Sequence, residues 1–380
     1  MKIAVLKETV AGESRVAIIP DSIKRLTKKG IEFLIQTGAG AESGYADAEY
    51  EKVGAVVESS LDKLIADADA IVKVQPPTLE EIDTLKEGSI YISVIQSLHR
   101  HDLVKKLAER KITAFGLDAI PRITLAQSMD VLSSMSTIAG YKAVLMAADH
   151  INKFFPMLMT AAGTVAPARV MVLGAGVAGL MACATAKRLG AVVEATDVRP
   201  VVKDQVQSVG AKFLEVESDE SGEADGGYAK EMSDDYKKRQ AEMIAKHIAK
   251  ADVVIPTALI PGRRAPILVT EEHVKSMRSG SVIVDLAAEM GGNCELTVPN
   301  ENVVKHDVLI IGHTNLPSTM NFHASQMFSK NIEKYIVHLT DENGFKLDLE
   351  DEITNGSLIT HQGNVVHEIT SKLMSQSGGN

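Results

Sequence analysis

The stretch VLGAGVAG, residues 172–179, decides the fold of this chain. Residues 169–173 form an apolar run typical of a buried strand, and they lead into three glycines spaced G-x-G-x-x-G and then an alanine-rich segment. In a strand–turn–helix unit, Gly174 permits the turn, Gly176 lets the backbone approach a pyrophosphate, and Gly179 lets the helix pack on the strand. The pattern predicts a dinucleotide site, with a tight turn that binds nothing as the alternative.

The residues after the next predicted strand, 191–196, favour the dinucleotide interpretation. Asp197 lies 18 positions after Gly179, where an acid accepts hydrogen bonds from the ribose hydroxyls of NAD and repels the 2′-phosphate of NADP. Arg199 complicates this interpretation, because an arginine here can accept that phosphate. The sequence favours NAD.

Strand-like and helix-like segments alternate on both sides of this motif, which predicts an α/β fold with parallel sheets covered by helices. We expect two doubly wound, Rossmann-like domains joined by long helices, one of them at 131–155. The first domain comprises residues 1–132 and is completed by 320–380, and the NAD(H)-binding domain comprises 133–319. The predicted strands are 2–6, 31–35, 69–74, 89–95, 112–116, 169–173, 191–196, 211–216, 252–255, 281–284 and 307–311.

Two further loops need interpretation, and only one of them is a candidate site. The glycine-rich segment 38–44 has the wrong spacing for a dinucleotide turn, and neither a helix nor an acid follows it where the motif requires them, so it is interpreted as a plain loop. The segment 218–240 is long, polar and acidic. Loops of that length in compact domains are usually functional or disordered. It is either a lid that brings Tyr228 and Met232 onto a cofactor or an ordinary solvated loop.

The polar cluster in PRITLAQSMDVLSSMSTIAGY, residues 121–141, precedes the predicted connecting helix. At a domain junction its polar side chains would face the cleft where ligands bind. The alternative is local, because Ser128 or Asp130 can cap the helix that follows. The residues themselves do not decide between these two interpretations.

Composition excludes several classes of protein. The net charge is −10 and no Lys/Arg-rich block is present, which argues against nucleic acid as the main partner. The two cysteines, Cys183 and Cys294, form neither a zinc pattern nor a disulfide framework. The uncharged stretch between Arg169 and Lys187 is rich in glycine and alanine and shorter than the roughly 20 residues of a membrane span. A buried strand and helix explain it better.

Several long motifs together resemble a known family: KETVAGESRVAIIP, PRITLAQSMDVLSSMSTIAGY, TAAGTVAPARVMVLGAGVAGL, ATDVR, GGYAKEM, PTALIPG, DLAAEMGGNCE and GHTNLPS. The chain resembles, over nearly its whole length, the NAD(H)-binding component, domain I, of proton-translocating nicotinamide nucleotide transhydrogenases. It is more distantly similar to alanine dehydrogenase, which shares the fold.

The resemblance implies a site for NAD(H). Arg122 and Gln127 would orient the nicotinamide ring and its ribose, and Asp130 and Ser133 would hydrogen-bond the carboxamide. These four would be the residues that act at the hydride-transfer centre. The remaining cofactor-binding residues implied are Gly174, Gly176, Val177, Gly179, Asp197, Val198, Arg199, Gly227, Tyr228, Gln240 and Leu259.

The chemistry separates the two relatives. An amino-acid dehydrogenase needs a general acid/base, but Gln96 stands where the alanine dehydrogenase pattern has a histidine, and Glu289 stands at the position of its aspartate. Direct hydride transfer from NADH to NADP⁺ needs no such group, only two nicotinamide rings held in place. Transhydrogenation is therefore the expected activity, and alanine dehydrogenase-like oxidation the alternative.

The resemblance also implies partners and a location. NADP(H) would bind to a separate component, and a membrane-spanning component would carry the proton channel. The chain itself would be a homodimer lying peripherally on the cytoplasmic face of the inner membrane, active only with those components.

Overall fold

The computed structural model describes residues 1–216 and 233–377. The chain divides into two compact units, of which unit 1 comprises residues 1–135 and 318–380 and unit 2 comprises residues 136–317. The predicted lid residues Gly227, Tyr228 and Met232 lie outside the described residues.

The described strands are, in chain order, β1 Lys2–Val5, β2 Glu32–Gln36, β3 Val56–Glu58, β4 Ala70–Val72, β5 Ile90–Ser93, β6 Thr113–Gly116, β7 Leu158–Thr160, β8 Gly163–Val165, β9 Arg169–Leu173, β10 Val192–Thr196, β11 Lys212–Phe213, β12 Val253–Pro256, β13 Val282–Val284, β14 Asn302–Lys305, β15 Val308–Ile311, β16 Thr340–Asp341, β17 Gly344–Phe345, β18 Leu358–His361 and β19 Asn364–Val365. The described helices are α1 Pro20–Thr27, α2 Asp47–Lys52, α3 Leu61–Asp67, α4 Leu79–Thr84, α5 His101–Glu109, α6 Val131–His150, α7 Val177–Arg188, α8 Lys203–Ser208, α9 Asp234–Ile248, α10 Glu271–Ser276, α11 Asn321–His338, α12 Glu352–Ser357 and α13 Glu368–Ser377.

Unit 1 is built on an eight-stranded sheet in the order β19-β18-β6-β5-β4-β1-β2-β3. Strands β1 to β6 pair in parallel, and β18 joins β6 in the antiparallel direction. Parallel strands with both faces covered read as continuous apolar runs, which is why β4, β5 and β6 are buried at every position. One apolar core packs α1 and α11 on one face of the sheet, and a second packs α3 and α5 on the other, so unit 1 is a doubly wound sheet.

Helix α11 completes unit 1. Phe328, Ile332 and Tyr335 on this helix belong to the same apolar core as β1 and β2. Two of its hydroxyls satisfy backbone groups near the start of the chain: Ser325 Oγ accepts the N–H of Val16, and Ser329 Oγ accepts the N–H of Ile19, each at 3.0 Å.

Unit 2 is built on a seven-stranded sheet in the order β11-β10-β9-β12-β13-β15-β14. All its pairings are parallel except that of the edge strand β14 with β15. The predicted α/β fold with two Rossmann-like sheets is thus confirmed, and the antiparallel edge strands in both units are additions to it.

Element ends differ from the prediction. The helix expected over 131–155 ends at His150, five residues earlier than predicted. The segment 211–216 pairs only at Lys212–Phe213. The pattern does not predict the strands β3 and β14 or the hairpin of β7 with β8, since their residues are exposed or half-buried and form no long apolar run.

One described helix, α6, is long and apolar enough to cross a membrane by length and composition, and a third of its most apolar window is buried. Core helices of soluble proteins can have the same length and composition, so this is weak evidence for a membrane span. The uncharged stretch between Arg169 and Lys187 forms β9 and α7 of the unit 2 sheet instead.

Candidate dinucleotide site

The predicted glycine turn lies at the switch point of the unit 2 sheet. Strand β9 pairs in parallel with β10 on one side and with β12 on the other. The strand order therefore reverses here, because β10 and β11 extend the sheet on one side of β9 while β12 and β13 extend it on the other. A crevice at this point is where ligands bind in open α/β sheets. The turn 174–176 follows β9 directly and leads into α7.

Each of the three glycines has a separate local reason. Gly174 has a φ of +99°, in the left-handed region that glycine adopts without strain. A Cβ on Gly179 would lie 1.9 Å from the carbonyl oxygen of Gly174, so only glycine lets the helix approach the strand. A Cβ on Gly176 would meet one atom within 4 Å, Nη2 of Arg199 at 3.8 Å. Folding thus requires Gly174 and Gly179, whereas the space above Gly176 is open to a ligand.

Helix α7 supplies the electrostatics for an anion at this turn. Its N-cap is Gly176, which has no side chain to satisfy the first N–H groups of the helix. Unpaired N–H groups and the positive end of the helix dipole together favour a phosphate. The first turn of α7 contains no acidic residue, so no negative charge on this helix start repels a diphosphate.

Asp197 follows β10 and is bound to the glycine turn itself. Its Oδ2 accepts the backbone N–H of Ala175 at 2.7 Å. The Arg199 guanidinium pairs with the same carboxylate, with Nη2 to Oδ2 at 2.7 Å and Nε to Oδ1 at 2.9 Å. Val198, between them, is half-buried. The acid and the arginine that give opposed signals in the sequence are therefore a single ion pair beside the turn.

The end of β12 reaches the same turn through residues that sequence reasoning missed. Thr257 Oγ1 donates to the carbonyl oxygen of Gly174 at 3.0 Å. The buried Asn293 holds Ala258 on both sides: Oδ1 accepts the Ala258 N–H and Nδ2 donates to its carbonyl, each at 2.9 Å. Leu259 is left 47% exposed. Thr257 and Asn293 lie inside the quoted motifs PTALIPG and DLAAEMGGNCE, but spacing carries no signal of these long-range contacts.

Among the other residues predicted for unit 2, the structure gives the position and exposure of Val177 and Gln240. Val177, the first residue of α7, is 40% exposed. Gln240 is half-buried on α9. Gly227 and Tyr228 fall outside the described residues, so the lid stays a prediction.

The predicted nicotinamide segment belongs to unit 1. Residues Thr124–Met129 form a 3₁₀ helix, anchored by the buried Ala126 and Met129, and it leaves the side chains of Arg122 and Gln127 exposed. Asn331 Nδ2 on α11 donates to the carbonyl oxygen of Ser128 and ties the segment down. The two exposed polar side chains thus belong to a segment whose backbone is fixed by buried side chains and by the hydrogen bond from Asn331.

Asp130 caps helix α6. Its carboxylate accepts the backbone N–H of Ser133 at 2.8 Å and the Ser133 hydroxyl at 2.6 Å, which is the pattern of an N-cap. The local interpretation of Asp130 therefore applies, and a role for Asp130 and Ser133 toward a carboxamide stays a prediction.

Unit 1 has its own switch point, between β1 and β4, and charged side chains fill it. Lys73 is fully buried, with Nζ 2.9 Å from Glu81 Oε1 and 4.0 Å from Glu8 Oε2. Arg15 pairs with Glu13 through two hydrogen bonds. Burial raises the pKa of Glu8 to about 7. Burial opposes ionisation of Glu13 too, but the hydrogen bond and charge of Arg15 hold its pKa down at about 2.

The structure describes both positions that the sequence predicts to distinguish this chain from the amino-acid dehydrogenase pattern. Gln96 has a φ of +55°, in the left-handed region, and its backbone N–H donates to Asp118 Oδ2 at 2.9 Å. Glu289 lies in the 3₁₀ helix Ala288–Met290 of unit 2. The glycine-rich segment 38–44 makes a turn and the 3₁₀ helix Ala41–Ser43, and α2 begins only at Asp47, so no helix starts directly at these glycines.

The fold and the glycine turn define a two-unit protein of the Rossmann-like, nucleotide-binding class. Comparison with known families narrows this class. The profile of the alanine dehydrogenase/PNT N-terminal domain matches residues 4–139, and that of the C-terminal domain matches residues 143–368. The chain belongs to the alanine dehydrogenase/PNT family, and the predicted resemblance is confirmed.

Within this family the chain is more similar to transhydrogenase subunits than to alanine dehydrogenases. A protein of Rhodospirillum rubrum, named as the first part of NAD(P) transhydrogenase subunit alpha, is 47% identical over 97% of this chain and 98% of the relative. The alanine dehydrogenase of Mycobacterium tuberculosis is 28% identical over 97% of this chain and 95% of the relative.

Solved structures show the same fold. The transhydrogenase from Sinorhizobium meliloti superposes with a TM-score of 0.84 at 41% identity, covering 97% of this chain and 99% of that one. An L-alanine dehydrogenase gives the same TM-score at 27% identity, covering 99% of both chains. Backbone architecture therefore does not separate the two activities, and the side chains must.

Proposed function

We propose that this chain binds NAD(H) on unit 2 and transfers a hydride between it and NADP(H) held on a separate component. The observation that carries the proposal is the turn 174–176 at the switch point of unit 2, open above Gly176 and joined by hydrogen bond to Asp197. An open backbone cradle at a helix start suits a diphosphate, and the adjoining acid suits the ribose hydroxyls of NAD rather than a 2′-phosphate.

The residues of this chain would bind the cofactor, orient its nicotinamide ring and exclude water, because the nicotinamide supplies the hydride chemistry when it is bound. No proton joins or leaves the reacting carbon in a direct transfer, so no general acid is required. This agrees with Gln96 and Glu289 standing where an amino-acid dehydrogenase has its histidine and aspartate.

For the segment 122–133 the proposal follows the family resemblance. Arg122 and Gln127, whose side chains are exposed on a pinned 3₁₀ segment, would orient the nicotinamide ring and its ribose. Asp130 and Ser133 would hydrogen-bond the carboxamide. A rigid support of this kind is what a positioning role requires, since a misplacement of about 1 Å can cost about 100-fold in rate.

Partners are proposed from the relatives. The Rhodospirillum rubrum relative is named as one part of a subunit, and the chain spans 70% of the NAD(P) transhydrogenase subunit alpha of Cereibacter sphaeroides. We propose a homodimer that docks to an NADP(H)-binding component and to a membrane-spanning proton-channel component. It would lie peripherally on the cytoplasmic face of the inner membrane and couple hydride transfer to proton translocation.

The substitution Gly176→Ala tests the dinucleotide site without disturbing the fold. A Cβ there meets nothing closer than 3.8 Å, so the melting temperature should stay unchanged while NADH affinity, measured by fluorescence titration, falls at least about tenfold. Asp204→Ala, on the neighbouring helix α8, serves as a control and should change neither quantity. Unchanged NADH affinity in Gly176→Ala would remove the diphosphate from this turn.

Hydride exchange tests the activity. The full chain, mixed with an NADP(H)-binding component, should transfer hydride from NADH to an NADP⁺ analogue. Gln127→Asn should slow this transfer about tenfold or more while changing the NADH dissociation constant less than about twofold. Equal losses in both would refute the positioning role, and NADH production from alanine by the chain alone would favour the amino-acid dehydrogenase alternative.

A further inference from the structure

Every acceptor position of the Asp197 carboxylate is occupied. Oδ1 accepts the backbone N–H of Arg199 and its Nε, both at 2.9 Å. Oδ2 accepts the backbone N–H of Ala175 and Arg199 Nη2, both at 2.7 Å. A carboxylate offers about four lone-pair positions, and these donors fill them. The side chains of Arg199 and Asp197 are only 14% and 5% exposed.

Ribose hydroxyls that donate to this acid must therefore replace two of its donors. The backbone N–H groups of Ala175 and Arg199 are fixed by the turn and by the chain next to Asp197. The guanidinium stands at the end of a long side chain and is the occupant that can move. Only the positions of Nε and Nη2 can be vacated for a diol.

We propose that the Arg199 guanidinium occupies the ribose-hydroxyl positions of Asp197 in the free protein and is displaced from them when NAD(H) binds. This inference rests on the proposed NAD(H) site. In the free protein the arrangement keeps a nearly buried acid paired, because an uncompensated buried charge is strongly destabilising. The guanidinium also lies beside the diphosphate cradle, since Nη2 is 3.8 Å from an ideal Cβ on Gly176. A displaced Arg199 thus keeps a negative partner nearby.

Removing Arg199 alone has two opposed effects on NADH affinity. Loss of a cation near the diphosphate weakens binding, whereas loss of the competitor for Asp197 strengthens it. A double-mutant cycle separates these effects, because only the second requires Asp197. The cycle compares the change in the NADH dissociation constant caused by Arg199→Gln in the natural chain with the change it causes in the Asp197→Asn chain.

Displacement predicts a definite sign. In each background, the NADH dissociation constant of the chain with Arg199→Gln is divided by that of the chain without it. This ratio should be about threefold to tenfold smaller with Asp197 present than in the Asp197→Asn background. If the guanidinium instead stays on Asp197 in the complex and supports it, Arg199→Gln costs more affinity when Asp197 is present. An equal or larger ratio with Asp197 present therefore overturns the proposal.

A matched control removes a nearby cation that pairs with a different acid. Lys203 begins α8 and pairs with Glu215, so Lys203→Gln should give the same ratio in both backgrounds. Calorimetric titration of the full chain with NADH provides all constants. If the unaltered chain does not bind NADH, both the proposed function and this inference are refuted. If it binds NADH but the ratio is equal or larger with Asp197 present, only the inference is refuted.

A second measurement guards against loss of folding. Without ligand, Arg199→Gln should lower the melting temperature, because Asp197 loses two donors. The further rise in melting temperature caused by saturating NADH should be larger in Arg199→Gln than in Arg199→Lys, which retains a charged competitor for the carboxylate. A smaller rise in Arg199→Gln than in Arg199→Lys would contradict displacement.

Discussion

The two large sheets share a central strand order, in which the first strand of each sheet lies between the second and the fourth strands of that sheet. Their switch points differ in chemistry. In unit 2 the first strand of the large sheet, β9, ends in an open glycine turn, whereas in unit 1 the corresponding crevice is filled by Lys73, Arg15 and the glutamates that pair with them. One crevice is open to a ligand, and the other is closed by the protein's own charges.

The difference shows that a Rossmann-like topology supplies a position for a site but not its occupant. Gly176 leaves backbone exposed and places no side chain in the crevice, so an anion can approach the helix start. In unit 1, buried cations already have internal carboxylates as partners, and a ligand would have to replace them. The comparison can be tested at each switch point.

The largest expected effect is that of Gly179→Ala in unit 2. The new Cβ would lie 1.9 Å from a backbone carbonyl, so the helix must move off the strand, and we expect a loss of roughly 5 kcal/mol in the free energy of unfolding. Gly38→Ala in unit 1 is the control. It has a φ of +74° and nothing within 4 Å, so backbone strain of about 1 kcal/mol is expected. Urea unfolding measures both, and equal losses would show that the unit 2 turn is no tighter than a plain loop.

Lys73→Met should have the next largest effect, in unit 1. It leaves Glu8 and Glu81 beside each other without the buried cation, and we expect a loss of about 3 kcal/mol in the free energy of unfolding at about pH 8. Lys63→Met removes an exposed lysine that pairs with Glu58 and should cause no measurable change. If Lys73→Met is as stable as the natural chain, the cluster does not hold the switch point closed.

The smallest effect is a pH dependence that originates at Glu8. The pKa of this carboxyl is raised to about 7, mainly by burial, from its ordinary value of 4.5. Between those two values the folded chain retains a proton that the unfolded chain releases, so the free energy of unfolding falls as pH rises from about 4.5 to about 7. Glu8→Gln should remove about 1 to 2 kcal/mol of this decline.

Urea unfolding at a series of pH values measures that slope. Glu13 provides the opposite sign as an internal reference, because its pKa of about 2, lowered from 4.5, gives stability that is present above the ordinary value and lost as pH falls toward the lowered one. A slope between about pH 5 and 7 that is the same in Glu8→Gln and the natural chain would assign the decline to another group.

The sequence predicted the position of the unit 2 glycine turn because the signals of that turn are local. Gly174, Gly176 and Gly179 lie in one short turn, and Asp197 ends the next strand. Sequence reasoning did not reach Thr257 or Asn293, which lie 83 residues from Gly174 and 35 residues from Ala258 respectively and meet them only in the fold. Periodicity also missed the antiparallel edge strand β14, because its exposed and half-buried residues give no clear pattern.

The amino-acid sequence by itself determined the α/β class, the family and the position of the glycine turn, because each depends on residue types at short spacing along one strand, turn and helix. Only the tertiary structure decided which charges pair. Asp197 and Arg199 indicate opposite cofactors in the sequence, yet they form one ion pair. Lys73 contacts Glu8 and Glu81 because the strand order brings these residues together. Pairing of charges depends on distance in space, which the order of residues along the chain does not specify.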